Sequence, residues 1–174
     1  MGDRSILITG CSSGIGLAST REMKSRGWRV FATARKKQDL ARLKDDEGVE
    51  SLYLDYTEPD SIEKAVADVL AATGGRLDAL FNNGAYGQPG AVEDLRREVL
   101  RAQFEAGFFG WHDLTARVIP VMRKQGQGRI VFCSSVLGLV SAPYRGAFAP
   151  PNSPSRRWPT RSAWSWREAA SRSC

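Results

Sequence analysis

The chain has 174 residues, with 25 Lys and Arg against 19 Asp and Glu, and a formal net charge of +6. This length suits one domain with a sizeable core, and no apolar run in the sequence approaches membrane-spanning length. The three cysteines, Cys11, Cys133 and Cys174, are widely spaced and odd in number, which predicts reduced thiols and no metal site. Together these features predict a cytoplasmic, single-domain protein.

A glycine-rich turn joins the first predicted strand to the first predicted helix. The apolar run at residues 6–8 breaks at Gly10, and a helical pattern starts at Gly14. So little side-chain bulk lets the backbone approach a pyrophosphate, and the N–H groups that open the helix stabilise the phosphate charge. The residues predicted to bind a nucleotide here are Gly10, Ser12, Ser13, Gly14, Ile15 and Gly16. The alternative is a glycine-punctuated strand–helix turn with no ligand.

Predicted strands and helices then alternate along the chain. Thr57 as N-cap and Pro59 in the first turn predict the start of one helix. A longer helix with apolar residues from 104 to 122 is predicted to bend near Pro120 and to end at Gly126. Further strands are predicted at residues 30–31, 52–54, 79–81 and 130–132.

This alternation predicts an α/β fold, a Rossmann-like doubly wound parallel sheet with helices on both faces. In such a sheet, ligands bind beyond the carboxyl ends of the strands. Five residues directly follow predicted strands and are expected to line one crevice: Gly10, Arg35, Asp55, Asn83 and Ser135.

Four segments between about residues 5 and 149 resemble the short-chain dehydrogenase/reductase family. Residues 9–16, Thr-Gly-Cys-Ser-Ser-Gly-Ile-Gly, are similar to its cofactor loop, and Asp55 to the residue that contacts the adenine ring. Residues 82–85, Asn-Asn-Gly-Ala, resemble its Asn-Asn-Ala-Gly turn with the last two residues exchanged, which implies that Asn83 and Gly84 bind the cofactor. Ser135 stands where the family keeps its catalytic serine.

The resemblance implies hydride transfer between NAD(P)(H) and an alcohol or ketone. By analogy, the substrate is lipophilic, as in members that act on hydroxysteroids or retinoids. It also implies that residues 1–149 form an incomplete nucleotide-binding domain, truncated after the fifth strand.

The end of the second predicted strand bears on the choice of cofactor. A carboxylate there would accept the ribose hydroxyls and repel a 2′-phosphate, whereas this chain continues into Arg35. A guanidinium can pair with a phosphate, so NADP(H) is favoured over NAD(H). The alternative is a solvated basic start to the next helix.

The catalytic centre that the resemblance implies is largely missing. The family uses a tyrosine as proton donor, a lysine four residues later, a serine and an asparagine. Ser135 is present, but the other positions hold Phe148, Asn152 and Gly107. Little or no turnover is therefore expected. Ser135 itself has a second interpretation, as a strand-end hydroxyl that caps backbone groups.

The composition changes abruptly at residue 150. Residues 150–174 hold four prolines, six serines and five arginines against one glutamate, which is a net charge of +4. This basic tail is expected to be disordered. One hypothesis is a frame-shifted reading of the family's next helix, because codons shifted by one base permit an amphipathic, helix-forming sequence. Without that helix and the further strands of the family, residues 130–132 would be an uncovered sheet edge, the solubility would be low and a family-type homo-oligomer would be doubtful.

Three functions compete at this stage. The first is an NADP(H)-dependent oxidoreductase with impaired activity on a small alcohol or ketone. The second is a non-catalytic dinucleotide-binding protein. The third is a nucleic-acid binder that uses the Arg- and Trp-rich tail. The third is least favoured, because the rest of the chain carries only about +2 and lacks a nucleic-acid-binding motif.

Overall fold

Five parallel strands form one sheet in the structure, a computed structural model that describes residues 4–138 and 143–145. The strand order is β3-β2-β1-β4-β5. The strands are β1 (Ser5–Ile8), β2 (Arg29–Ala34), β3 (Glu50–Tyr53), β4 (Ala79–Asn82) and β5 (Arg129–Phe132).

Helices cover both faces of this sheet. Since successive side chains of a strand point to opposite faces, neighbouring residues of one strand belong to two different cores. Leu7 joins a core with Ile62 and Leu114, whereas Ile8 joins a second core that contains Leu43. The prediction of a doubly wound α/β fold is thereby confirmed. The helices are α1 (Gly14–Ser25), α2 (Lys37–Asp45), α3 (Pro59–Thr73), α4 (Arg97–Phe104) and α5 (Gly110–Lys124).

The strand order reverses direction between β1 and β4. Ile8, the last residue of β1, pairs with Ala32 of β2 on one side and with Phe81 of β4 on the other. The chain runs outward from β1 through β2 to β3 and then crosses to β4 on the opposite side. Such a switch point opens a crevice at the carboxyl ends of the strands, where α/β proteins bind their ligands.

The start of α3 corrects the prediction for Thr57. The N-cap residue is Glu58, and Pro59 is the first helical residue. The amide and hydroxyl of Thr57 instead donate to Asp55 Oδ1, both at 2.9 Å. Asp55 captures Thr57 because a side-chain oxygen two residues back closes a tight local turn.

The predicted long helix divides at a π-helical turn, Glu105–Phe109, between α4 and α5. Pro120 lies inside α5, so the irregularity occurs well before the predicted bend. Gly126 follows the end of α5 with φ of 74°, as expected of a glycine after a helix.

β5 forms one edge of the sheet built by the described residues. Ile130 and Phe132 pack against the core, whereas Val131 is 45% exposed on the other face. Within the described residues, β5 is therefore an edge strand, and the expectation of an uncovered edge at residues 130–132 stays a prediction.

Candidate functional site

The loop after β1 passes very close to the loop after β4. Gly10 has φ of 68°, and a Cβ built on it would lie 2.5 Å from the Cα of Gly84. A Cβ on Gly16 would lie 2.2 Å from the carbonyl oxygen of Gly10. Real atoms do not approach so closely, so glycine is required at both positions by contacts within the protein itself.

Thr9 ties these two loops together. Its Oγ1 accepts hydrogen bonds from the backbone amides of Asn83, at 2.9 Å, and Gly84, at 3.0 Å. The side-chain amide of Asn83 donates to the carbonyl oxygens of Thr9, at 2.9 Å, and Gly10, at 3.3 Å. Asn83, predicted to bind a cofactor, therefore also braces the turn after β1.

A cavity of about 350 Å³ opens beside these loops. Of the ten residues predicted to bind a nucleotide, eight line this cavity: Gly10, Ser12, Ser13, Ile15, Arg35, Asp55, Asn83 and Gly84. Gly14 and Gly16 lie in the first turn of α1 and are not among the residues that line the cavity. All five strands thus contribute residues to one crevice, since Cys133 after β5 lines it as well.

The helix that opens onto this cavity is not capped by a side chain. Ser13 is the N-cap residue of α1 in extended conformation, and within the described residues its hydroxyl makes no capping hydrogen bond. The first N–H groups of an α-helix have no partner inside the helix. This end of α1 is therefore available for an anion, although a helix end alone does not establish one.

An ion pair closes the side of the cavity below β2 and β3. Arg35 Nη1 lies 3.6 Å from Asp55 Oδ2, and the Arg35 side chain is 64% exposed. A second guanidinium approaches the glycine loop from α2, where Arg42 donates to the carbonyl oxygen of Ser12 and pairs with Asp39 at 3.3 Å. Arg42 could not be predicted from the sequence, because an exposed helical arginine has no pattern of its own.

Of the four predicted catalytic positions, the structure describes those of Ser135 and Gly107. Ser135 is half-buried after β5, and its Oγ accepts a hydrogen bond from the amide of Leu137 at 3.2 Å. It is not among the residues that line the cavity. Gly107 is buried in the π-helical turn. Phe148 and Asn152 lie outside the described residues.

Two buried groups near the site have a raised pKa. Burial raises the pKa of the Cys11 thiol to about 11, and its Sγ donates to the carbonyl oxygen of Ile8 at 3.1 Å. Burial also raises the pKa of Tyr56, whose ring lines the cavity. Both groups are therefore neutral at physiological pH, so neither supplies a charged nucleophile or base.

A parallel sheet with a glycine-rich loop at its switch point defines a dinucleotide-binding type of α/β protein. The profile described as short chain dehydrogenase matches residues 4–149, and the chain belongs to this family of NAD(P)-binding oxidoreductases. The match ends where the composition of the sequence changes.

Similar proteins span this same region. An uncharacterized oxidoreductase, YbbO, of Escherichia coli is 44% identical over 146 residues, which cover 84% of this chain and 54% of that protein. A 3-ketodihydrosphingosine reductase of Bacteroides thetaiotaomicron is 34% identical over 145 residues, covering 83% and 51%. The crystal structure of an actinorhodin polyketide ketoreductase with NADPH gives a TM-score of 0.88 at 27% identity, covering 94% and 65%. The chain spans about half the length of the curated relatives it matches.

Within residues 4–138 and 143–145, no helix is both long and apolar enough to cross a membrane. The same residues contain no group of three or more His, Cys, Asp or Glu side chains placed to hold a metal ion.

Proposed function

We propose that this chain binds NADP(H) in the cavity beyond β1, β2 and β4, and that its own oxidoreductase chemistry is impaired or absent. The observation that carries the proposal is the contact between Gly10 and Gly84, which brings two loops together around one cavity of about 350 Å³. Eight side chains or glycines predicted from the nucleotide-binding pattern surround that space.

These residues fit the successive parts of a dinucleotide. The uncapped start of α1 and the glycine loop suit the pyrophosphate. Asp55 and Arg35 lie together at the side of the cavity below β2 and β3, where the adenosine end would be held. When bound, NADP(H) donates or accepts the hydride in the reaction of this family.

The preference for NADP(H) rests on Arg35. No carboxylate stands directly after β2, where one would repel a 2′-phosphate. Arg35 already pairs with Asp55, but the guanidinium is 64% exposed. Exposed ion pairs contribute only about 0–1 kcal/mol, so a phosphate can compete for this guanidinium. The hydrogen bonds that a guanidinium makes to a phosphate are charge-assisted and stronger.

The chemical step lacks its proton donor. Reduction of a ketone requires a proton at the carbonyl oxygen as the hydride arrives, and Phe148 has no exchangeable proton to give. Gly107 has no side chain to support a proton relay, and a serine such as Ser135 is a poor donor at neutral pH. Loss of positioned acid–base catalysis typically lowers the rate by ~10²–10⁴.

The second candidate function is a dinucleotide-binding protein with no turnover at all, favoured by the same replacements at Phe148 and Gly107. If residual turnover exists, we propose a lipophilic ketone or alcohol as substrate. The name of the Bacteroides relative, 3-ketodihydrosphingosine reductase, supports that class.

The experiment is a fluorescence titration with NADPH, then a carbonyl-reduction screen on the same sample. We expect saturable binding and little or no NADPH consumption with any ketone. Rates ordinary for the family would contradict the impaired chemistry, whereas absence of saturable binding by folded protein would contradict the whole proposal. Salt-sensitive binding to oligonucleotides without NADPH binding would favour the tail as a nucleic-acid binder.

A further inference from the structure

Two buried aromatic side chains lie beneath the loop that follows β4, and neither was predicted as a functional residue. Tyr56 is 7% exposed and follows β3, and Trp111 is 3% exposed in the first turn of α5. Their ring centroids are 6.3 Å apart. Aromatic residues at such positions commonly fill space only, but both of these also make directed hydrogen bonds toward the cavity loops.

The hydroxyl of Tyr56 lies in a buried network that fixes Thr9. Its oxygen is 2.7 Å from Thr9 Oγ1 and 2.9 Å from Asn82 Oδ1. Asn82 Nδ2 donates to Thr115 Oγ1 at 3.1 Å, which leaves Asn82 Oδ1 as an acceptor. The phenol therefore donates to Asn82, and the Thr9 hydroxyl can donate to the phenol.

This arrangement determines which way Thr9 presents its lone pairs. With the Thr9 hydroxyl proton directed to Tyr56, both oxygen lone pairs can accept the amides of Asn83 and Gly84. Without the phenol, the Thr9 hydroxyl would donate instead to the carbonyl oxygen of Phe81, which lies 3.2 Å from Thr9 Oγ1. Tyr56 therefore acts on the loop after β4 through Thr9.

Trp111 holds the next backbone group of that loop. Its indole Nε1 donates to the carbonyl oxygen of Gly84 at 2.8 Å. The indole is itself held between Tyr56 and Phe132, whose ring centroid is 5.8 Å away. The amide and the carbonyl of Gly84 are thus each fixed by a separate side chain.

The Tyr56 ring also packs closely against Gly84. A Cβ at Gly84 would lie 3.2 Å from Tyr56 Cε2 and 3.2 Å from the amide nitrogen of Gly10. That spacing is tighter than ordinary van der Waals contact, so the Tyr56 ring or the Gly10 backbone would have to shift by a few tenths of an ångström to admit a side chain here.

We propose that Tyr56 and Trp111 are positioning residues that hold residues 83–84 against the turn at Thr9 and Gly10, and so shape the floor of the cavity for a dinucleotide. The part of this inference that concerns affinity rests on the proposed function. The part that concerns the loop does not, since it can be measured on the free protein.

The first test compares NADPH affinity in Tyr56→Phe and Trp111→Phe with that of the native chain, well below the melting temperature of each. Both variants keep an aromatic ring and lose one hydrogen-bond donor. The matched controls are Tyr53→Phe, which removes an exposed phenol bonded to Glu58, and Trp28→Phe, which alters an indole under the Arg4 guanidinium. Neither control residue lines the cavity.

We expect the dissociation constant for NADPH to rise about fivefold or more in Tyr56→Phe and Trp111→Phe, and less than about twofold in the controls. A purely structural role would lower the melting temperature and leave the affinity within about twofold. That result would overturn the positioning role.

The second test measures hydrogen exchange at the amides of Asn83 and Gly84 in the free protein. We expect exchange about tenfold faster in Tyr56→Phe and Trp111→Phe than in the native chain and both controls. Unchanged exchange overturns the inference, whatever the NADPH titration gives. Faster exchange in a chain that never binds NADPH supports the inference and rejects the proposed function alone.

Discussion

Arg35 and Arg26 are exposed arginines that each pair with a carboxylate, but Arg35 alone of the two lines the cavity. The Arg35 side chain is 64% exposed and pairs with Asp55, and that of Arg26 is 67% exposed and pairs with Glu22. Similar exposure makes Arg26 a matched control for Arg35, because both substitutions remove one cation and one surface ion pair.

Arg35→Ala should weaken NADPH binding about tenfold or more, since hydrogen bonds to charged groups contribute about 1.5–3 kcal/mol. NADH, which lacks the 2′-phosphate, should lose less than about twofold. Parallel titrations with both cofactors measure this difference. Arg26→Ala should change neither dissociation constant, and equal losses for NADPH and NADH in Arg35→Ala would contradict the assignment.

Cys11, in the glycine loop, should make the free energy of unfolding depend on pH in the alkaline range. Its thiol is fully buried, and burial raises its pKa to about 11. The unfolded chain releases this proton near the ordinary pKa, about 8.5. The contribution of the protonated thiol to the free energy of unfolding is therefore fully present below that pH, and it is lost as the pH rises toward the pKa of the folded state. We expect the free energy of unfolding to fall by roughly 3 kcal/mol between pH 8 and pH 11 on this account.

Denaturant unfolding at several pH values tests this expectation in the native chain and in Cys11→Ala. The variant should lose stability from the missing packing at all pH values but show a shallower decline above pH 9. Identical pH slopes in the two proteins would show that Cys11 does not titrate differently on folding.

Residue roles were predictable where a residue type is demanded locally, and not where a role arises from packing. Gly10 and Gly16 could be predicted because the spacing of glycines between a strand and a helix is a local pattern. Tyr56 and Trp111 could not, because they are brought together by the packing of α5 against the sheet. Positions 56 and 111 have no shared motif that would connect them in the sequence.

At the scale of elements, the turn from β1 into α1 depends on absent side chains. In Gly16→Ala the new Cβ would meet the Gly10 carbonyl at 2.2 Å, so that turn must move. Gly27 lies at the opposite end of α1 with φ of 76° and open space around it, so Gly27→Ala introduces backbone strain only. Each substitution should cost about 1–3 kcal/mol of stability.

The two variants should therefore differ in binding rather than in stability. We expect Gly16→Ala to lower NADPH affinity by more than about tenfold and Gly27→Ala to leave it within about twofold. Titration at a temperature where circular dichroism shows both proteins folded makes the comparison. Equal affinities would mean that the turn from β1 into α1 does not bind the pyrophosphate.

Element type was predictable from periodicity, whereas the irregular positions were not. All five strands were anticipated because buried parallel strands are short apolar runs bounded by turn residues. The π-helical turn at Glu105–Phe109 has no comparable signal, and Pro120 suggested a bend elsewhere. Thr57 has the right residue type for an N-cap, but its amide and hydroxyl donate to Asp55 instead.

For the whole molecule, the family match and the change in composition divide the chain at the same place. The match covers residues 4–149, and residues 150–174 carry +4 of the net charge of +6. If the tail takes no part in binding, a chain ending at Ala149 should bind NADPH with unchanged affinity. Its melting temperature should stay within about 2 °C of that of the full chain.

Calorimetry and NADPH titration of the two forms make this comparison. Loss of cooperative unfolding in the shorter chain would show that residues 150–174 contribute to the fold. Intact-mass and peptide analysis of the native protein through Trp166 tests the frame-shift hypothesis independently. Peptides that match residues 150–166 of this sequence would contradict the hypothesis.

The whole account depends most on capture of a dinucleotide at the junction of β1 and β4. The most direct measurement is a fluorescence titration of the full chain with NADPH at fixed salt, with circular dichroism on the same sample. We predict saturation at one cofactor per chain and a dissociation constant lower than that for NADH. A folded sample that shows no saturable binding of either cofactor would contradict the account.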